Sequence, residues 1–302
     1  MSEIIVDPSH ERHILDFRLL GFRDVLILGH YVYRKTRLPL SFHDHGDLME
    51  ICYLAEGRQF YRVADKDYFL SGGDVLINYP HESHGTCSFC EGKGNLYWLI
   101  LQPPSLQHEF LGMSYGKGKI LYENIRNIPS RQFKLKSGSQ KNLERIFASF
   151  HETKKSDCTN PSFVKTSSIF VMNIQNHLLR FLLDLAESAQ LRSPSSISVS
   201  IQPAIDRITG NDEIFYTMKQ LARVAGLSES RFKHRFREEV GTTPADYQLR
   251  HKIDRACQML IQDNTTILDT ALSLGFSSSQ YFATVFRRYV GVTPTEYRTI
   301  MK

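Results

Sequence analysis

Two sets of side chains in this sequence have the types and the spacing to do chemistry. The first is His43-Asp44-His45 with Glu50 shortly after and His84 further on. Three imidazoles and a carboxylate suit a first-row divalent metal such as iron, manganese, nickel or zinc; without a metal, they can line a pocket for a small polar ligand. Satisfied structural hydrogen bonds are the third reading. Tyr53 and Trp98 are aromatic candidates for the same pocket, and Trp98, the only tryptophan, could stack on a sugar ring or simply be core. The second set is Ser230, Arg231, Lys233 and His234, with Ser278, Ser279, Gln280, Ala283 and Thr284 in matching places some fifty positions later. Arg and Lys can pair with guanine edges, Gln suits adenine, and Ala or Thr can meet a thymine methyl. Arg235, Arg237, Arg287, Arg288 and Arg298 suit phosphates, which fix register and add salt-dependent affinity, although any one of them could be an ordinary solvated charge. No nucleophile-elbow, phosphate-cradling or dinucleotide motif accompanies either set.

The second set must be positioned by a repeat. Gly226-Leu227-Ser228 leads into Phe232 and Phe236, then Val240-Gly241-Thr242-Thr243-Pro244 and Tyr247; Gly275-Phe276-Ser277 leads into Phe282 and Phe286, then Val290-Gly291-Val292-Thr293-Pro294 and Tyr297. One supersecondary unit is therefore used twice. In each copy a short amphipathic helix (Met218 to Ala225; Ile267 to Leu274) ends at a Gly that tolerates a left-handed turn. Ser228 or Ser277 is placed to cap a second helix, whose phenylalanines face inward and whose polar residues face outward. That is the anatomy of a helix-turn-helix, whose second helix can enter a major groove about 12 Å wide.

The run Gly275-Phe276-Ser277, Tyr281-Phe282, Phe286-Arg287-Arg288, Gly291, Thr293-Pro294 and Tyr297-Arg298 resembles the signature of the AraC/XylS family of bacterial transcription regulators. The first copy, the linking segment Arg255-Ala256-Cys257-Gln258-Met259-Leu260 and the approach Ile267 to Ala271 fit the same pattern. The resemblance covers about a third of the chain. It implies a C-terminal all-α domain with two helix-turn-helix motifs that binds double-stranded promoter DNA.

The first set lies in a different kind of sequence. Asp24 to Tyr33, Leu48 to Leu54, Gln59 to Val63, Asp67 to Leu70, Asp74 to Asn78 and Leu96 to Leu101 are short runs rich in β-formers, broken by Gly, Pro and Asp. Strands this short and evenly spaced predict a small all-β barrel or jelly roll with room for one ligand. His43, His45, Glu50 and Gly57 resemble the first cupin motif, with Arg37 where its leading Gly would stand. Gly73-Asp74-Val75, Pro80 and His84 resemble the second, with Glu82 in place of a Gly. The cupin likeness places His43, His45, Glu50 and His84 at positions that hold a divalent metal in cupin enzymes. The family resemblance implies instead an effector-sensing barrel, for which the expected cofactor is none and the four residues line a ligand site. It also implies a sugar or related metabolite as effector, activation rather than repression, RNA polymerase as a partner and a homodimer.

Between these parts, Leu143, Ile146, Phe147 and Phe150 form one helical stripe, and Ile169, Met172, Leu178, Leu179, Leu182, Leu183 and Ala186 another. Two such helices (139–190) suggest a dimer contact or simple packing on the barrel. Ala189 to Gln202, centred on Ser193-Pro194-Ser195-Ser196, reads as a linker. The predicted organisation is a cupin-like effector-binding domain (1–138, its first twenty residues a partly ordered arm), a helical pair (139–190), a linker (191–202) and a double helix-turn-helix domain (203–302). Composition is that of an ordinary globular chain. The net charge of +5 is mild, and from residue 201 onward 14 Lys and Arg stand against 11 Asp and Glu, so only local placement of charge can mark a nucleic-acid binder. Five cysteines without a disulfide spacing, no secretory signal at the start and no membrane-length apolar run predict a cytoplasmic protein. The competing readings are a metal-dependent cupin enzyme carrying a DNA-binding domain, and a regulator whose barrel serves only as a dimerisation or partner platform.

Overall fold

The computed structural model describes residues 11–34, 37–86, 90–156, 168–190, 200–240, 242–261 and 265–301. Its N-terminal half is strand-rich: β1 (Arg12–Asp16), β2 (Val25–Tyr33), β3 (Arg37–Pro39), β4 (Met49–Val63), β5 (Lys66–Ser71), β6 (Asp74–Asn78), β7 (His84–Gly85), β8 (Cys90–Glu91), β9 (Gly94–Leu101) and β10 (Gln132–Lys134). The main sheet is antiparallel in the order β1-β2-β9-β4-β6-β10, and β3 pairs with β8 separately. The long strand β4 organises it. Along its first part β4 pairs with β6 and β9, and along its second with β5 and β7.

Both faces of the sheet are covered, which is why its strands read as nearly continuous apolar runs. Side chains alternate across a strand. Ile51, Tyr53, Val75, Ile77, Tyr97, Leu99 and Leu101 therefore share a core with three helices, whereas Cys52, Leu54, Leu76, Leu96, Trp98 and Ile100 build a second core with Tyr61, Val63 and Leu70. The helices are α1 (Tyr115–Arg126), α2 (Gln140–Ser156) and α3 (Ser168–Gln190), with α1 and α2 both packed on α3.

The structure differs from expectation at four places here. The described part of the supposed arm is β1, paired residue for residue with β2 from Arg12↔Tyr31 to Asp16↔Ile27, followed by a 3-10 turn that buries Phe17. The runs from Leu48 and Gln59 are one strand, β4, rather than two. Helix α1 gave no clear signal, because Gly116 and Gly118 lower its helical propensity and Gly118 is needed where the Phe110 side chain presses against it. On α3, Leu178 and Leu182 are fully buried against the sheet, but Ile169, Met172 and Leu183 are exposed.

The C-terminal half is helical: α4 (Gln202–Thr209), α5 (Met218–Val224), α6 (Glu229–Val240), α7 (Pro244–Ile261), α8 (Ile267–Ser273), α9 (Ser279–Val290) and α10 (Pro294–Met301). Positions 191–199 of the expected linker lie outside the described residues. Its last two do not behave as linker: Ile201 is fully buried and Gln202 opens α4. The first core joins Ile201, Ala204, Ile205, Leu221, Phe232, Phe236 and Tyr247, and the second joins Ile253, Ala256, Leu260, Ala271, Phe282, Phe286 and Tyr297. Helix α7 carries residues of both. Phe60 and Phe69 of the sheet enter the first of these cores, and Arg62 lies 3.5 Å from Asp254 of α7. Beside this narrow contact the two halves are separated by a cleft of about 670 Å³.

Candidate DNA-binding surface and histidine cluster

The two helix-turn-helix units are built by the same local chemistry. Thr217 and Gln220 form a reciprocal capping box that starts α5, and Thr266 and Asp269 form its counterpart for α8. Gly226 and Gly275 then turn the chain at φ +66° and +74°, as the sequence requires. At Gly275 a side chain is also excluded by space, since a Cβ would lie 2.1 Å from the carbonyl oxygen of Glu213.

The copies differ by one residue in the turn. Ser278, not Ser277, caps α9, its hydroxyl accepting from the Tyr281 amide. The helices therefore align with an offset of fifty: Phe232 with Phe282, Phe236 with Phe286, Val240 with Val290. The extra turn residue, hidden among three consecutive serines, made Ser277 look like the counterpart of Ser228. With this register Ser230, Arg231, Lys233 and His234 superpose on Gln280, Tyr281, Ala283 and Thr284. Ser278 is thus spent on the cap, and Tyr281, 49 % exposed, is a surface residue that the sequence reading missed.

The four polar positions of α6 and Gln280 and Thr284 of α9 are exposed, Ser279 and Ala283 are half-buried, and Phe232, Phe236, Phe282 and Phe286 are fully buried. Arg237, Arg287 and Arg288 are exposed near the helix ends. Two other arginines are already engaged. Arg235 donates to Glu239 at 2.7 Å, at the position that is the buried Val285 in the second copy. Arg298 donates to the carbonyl oxygens of Leu260 and Thr265, closing the end of α7, so a phosphate contact would require it to leave them.

Polar contacts from α7 reach both units. Asp246 accepts from Thr242 at 2.8 Å, from Arg250 at 2.8 Å and from Tyr289, at the end of α9, at 2.7 Å. Burial opposes ionisation of Asp246, but Arg250 and these hydrogen bonds outweigh it and lower its pKa. A carboxyl depressed in the folded state stabilises the fold above its ordinary value of 3.8, and that contribution is lost as pH falls below it. The urea midpoint of the helical half is expected to drop on acidification, and Asp246→Asn to flatten part of that drop. An unaltered profile in the variant would remove Asp246 from the account. Lys252, fully buried, donates to the carbonyl oxygens of Asp212 and Leu274, and burial pushes its pKa down to about 8.

In the sheet domain, strand pairing brings the first set together. His43 and His84 form an isolated bridge, and β4 sets Glu50 beside them. The donor nitrogens of His43, His45 and His84 lie within 4.8 Å of one another, Glu50 Oε2 is 2.8 Å from His84 Nε2, and Glu50 Oε1 is 3.7 Å from His45 Nε2. His43 Nδ1 lies 2.9 Å from the Ser41 carbonyl and His84 Nδ1 3.0 Å from that of Glu82. A carbonyl only accepts, so each Nδ1 holds the proton and each Nε2 is left for the cluster. Burial would raise the Glu50 carboxyl, but His84 and His45 hold it well below the carboxylate range; burial would lower His84, but Glu50 raises it. Asn78 donates to Glu50 at 2.7 Å. The buried Asn78 Oδ1 has no hydrogen-bond partner, and the Nε2 atoms of His45 and His84 meet only the Glu50 carboxylate, a set of polar atoms that suits a polar ligand or a cation.

The aromatic candidates do not share this cluster equally. Trp98 is buried on the same sheet face, its indole lying over Gly29, where a Cβ would come within 2.0 Å of it. It offers no open stacking face. Tyr53 is displaced from the expected pocket. Being an odd number of residues from Glu50, it points to the other face, where its ring meets Phe181 and its hydroxyl donates to Gln140 at 3.2 Å.

Comparison with known proteins matches residues 32–158 to the AraC-like ligand binding domain and residues 221–300 to a helix-turn-helix domain. The chain belongs to the AraC family of transcription regulators. Among similar proteins, the MmsAB operon regulatory protein of Pseudomonas aeruginosa is 23% identical over 90% of this chain and 81% of its own. An HTH-type transcriptional regulator of Haemophilus influenzae is 26% identical over 81% of this chain and 84% of its own. The probable transcriptional regulator LumQ of Photobacterium leiognathi is 34% identical over 28% of this chain and 35% of its own. The AraC-type architecture accounts for the strand-rich N-terminal domain and the helical DNA-binding domain. Among the described residues no helix is long and apolar enough to cross a membrane.

Proposed function

We propose that this AraC-type regulator recognises a specific promoter sequence through α6 and α9 and adjusts that binding when a small polar metabolite enters the cupin-like sheet domain. The observation that carries the reading is the duplicated helix whose inner face is fully buried phenylalanine and whose outer face is exposed and polar. Two such units joined by the single helix α7 suit successive major grooves about 34 Å apart on one side of the duplex. Selection from a randomised duplex pool tests it: the full chain should enrich one motif with two separated blocks, and enrichment of none would end the proposal. Activation, with RNA polymerase as partner, follows the family resemblance. A homodimer has the added support of Ile169, Met172 and Leu183, an exposed apolar strip on α3. For the effector, the convergent imidazoles, Glu50 and Asn78 favour a polar compound; a sugar would bind through these groups rather than by stacking on buried Trp98.

One observation favours a second occupant of the same site. Two imidazoles fixed through Nδ1, a third beside them and an ionised carboxylate form the kind of shell that orients ligands toward a divalent metal. His43, His45, His84 and Glu50 would hold it, and it would supply a Lewis-acidic point for an oxygen-bearing effector. A cation bound only by the folded state raises stability by about 2.7 kcal/mol at a hundred times its Kd. Nickel or zinc is therefore expected to raise the melting temperature of the native protein and not that of the His43→Ala, His45→Ala variant. Equal shifts in both would discard the metal.

A further inference from the structure

One residue of the sheet domain stands a single contact away from both recognition helices. The ring of Phe69, on β5, lies 5.3 Å from that of Tyr247, which in turn lies 5.6 Å from Phe236 of α6. The Arg250 guanidinium lies over Phe69 at 5.6 Å and over Tyr289 of α9 at 5.3 Å, while its Nε donates to the Asp246 carboxylate that also receives the Tyr289 hydroxyl. Phe69 is 8 % exposed, and a cleft between the two halves opens beside it. Its strand also leads back to the histidine cluster. β5 is the hairpin partner of β4 with Phe60 opposite Phe69, and further along β4 Val63 pairs with His84.

We infer that Arg250 and Tyr289 are positioning residues that set the separation of the two recognition helices, and that Phe69 is where the sheet domain acts on that setting. Neither residue needs to touch DNA. Arg250 holds the first unit's corner at Asp246 against the last turn of α9, so the distance between the two groove contacts depends on that junction. A ring pressed onto Arg250 from outside the domain biases it without contacting either helix. The inference rests on the proposed DNA recognition and deepens it, because it assigns the choice of spacing to residues outside the reading surface.

The test uses the full chain and a duplex set built from the wild-type selected motif, with its two blocks moved together or apart by single base pairs. Tyr289→Phe removes one hydroxyl and its bond to Asp246; Phe69→Leu keeps an apolar side chain but removes the ring. Both are checked for unaltered urea midpoints of the sheet domain. In each variant, binding to duplexes one base pair off the preferred spacing is expected to rise about three- to tenfold relative to the preferred duplex, as coupled contacts of this kind imply. Arg250→Lys, which keeps the charge but not the planar stack, is expected to behave like them. A uniform loss of affinity with the spacing preference intact in all three variants overturns the inference. Failure of the wild-type protein to prefer any duplex would instead strike the underlying reading of DNA recognition.

Discussion

Alanine at both Arg231 and Lys233 is expected to abolish selective DNA binding while leaving the protein folded. Both side chains project from the exposed face of α6 near its start, on a helix whose inner face is anchored by Phe232 and Phe236, so truncating them removes no core contact. A bidentate contact from such a residue to a guanine edge is worth about 1–3 kcal/mol. Each replacement should therefore weaken binding to the selected motif by about five- to 150-fold, with relaxed preference at one base position. An exposed phosphate-facing arginine behaves differently. Arg287→Ala should weaken binding to all sequences alike and make the salt dependence shallower by about one unit of slope. The measurement is binding to the selected duplex and to scrambled competitors at several salt concentrations. If the double variant keeps full discrimination between them, α6 is not the reading helix.

Loss of the second unit's core should cost more than any surface change. Phe286 is fully buried, with ring contacts to Phe282 and Tyr297 at 5.5 Å each. Phe286→Ala removes most of a ring from a small core that has little else to close the space, at a cost of about 3–5 kcal/mol. For a unit of about a hundred residues this corresponds to roughly 15–30 °C in melting temperature. DNA binding should be lost with it, because α9 is held in place by this ring. The sheet domain, whose cores do not include Phe286, should melt as before. A two-transition thermal scan in which only the helical half moves is the expected result, and an unmoved helical transition would show that the ring is not a structural anchor.

Much of this was written in local patterns. The phenylalanines recurring at four-residue spacing and the turn glycines sit within one repeat of each other, so short-range sequence is enough to place them. The cluster of His43, His45, Glu50 and His84 was legible by residue type and order. Its depth, the Nδ1 partners and the closeness of the Glu50 carboxylate to His84 were not, because strand pairing makes them. Tyr53 shows the same limit. Its type suited the pocket, but the parity of β4 relative to Glu50 sends it to the other face. The one-residue turn insertion escaped notice because three consecutive serines are chemically interchangeable until a helix shows which hydroxyl meets its free amides.

By itself, then, the chain's order of residues determined that two small helical units recur at the C-terminal end, that strands precede them, and which side chains could meet a base edge or a cation. Those properties depend on periodicity and local capping, which act over a few residues. Tertiary structure alone decided that α1 and β10 complete the sheet domain, that Arg298 closes a helix rather than projecting freely, and that Phe69 and Arg250 meet across the two halves. Each of these depends on a contact between residues far apart in sequence, whose free energy exists only once the intervening chain has folded to bring them together.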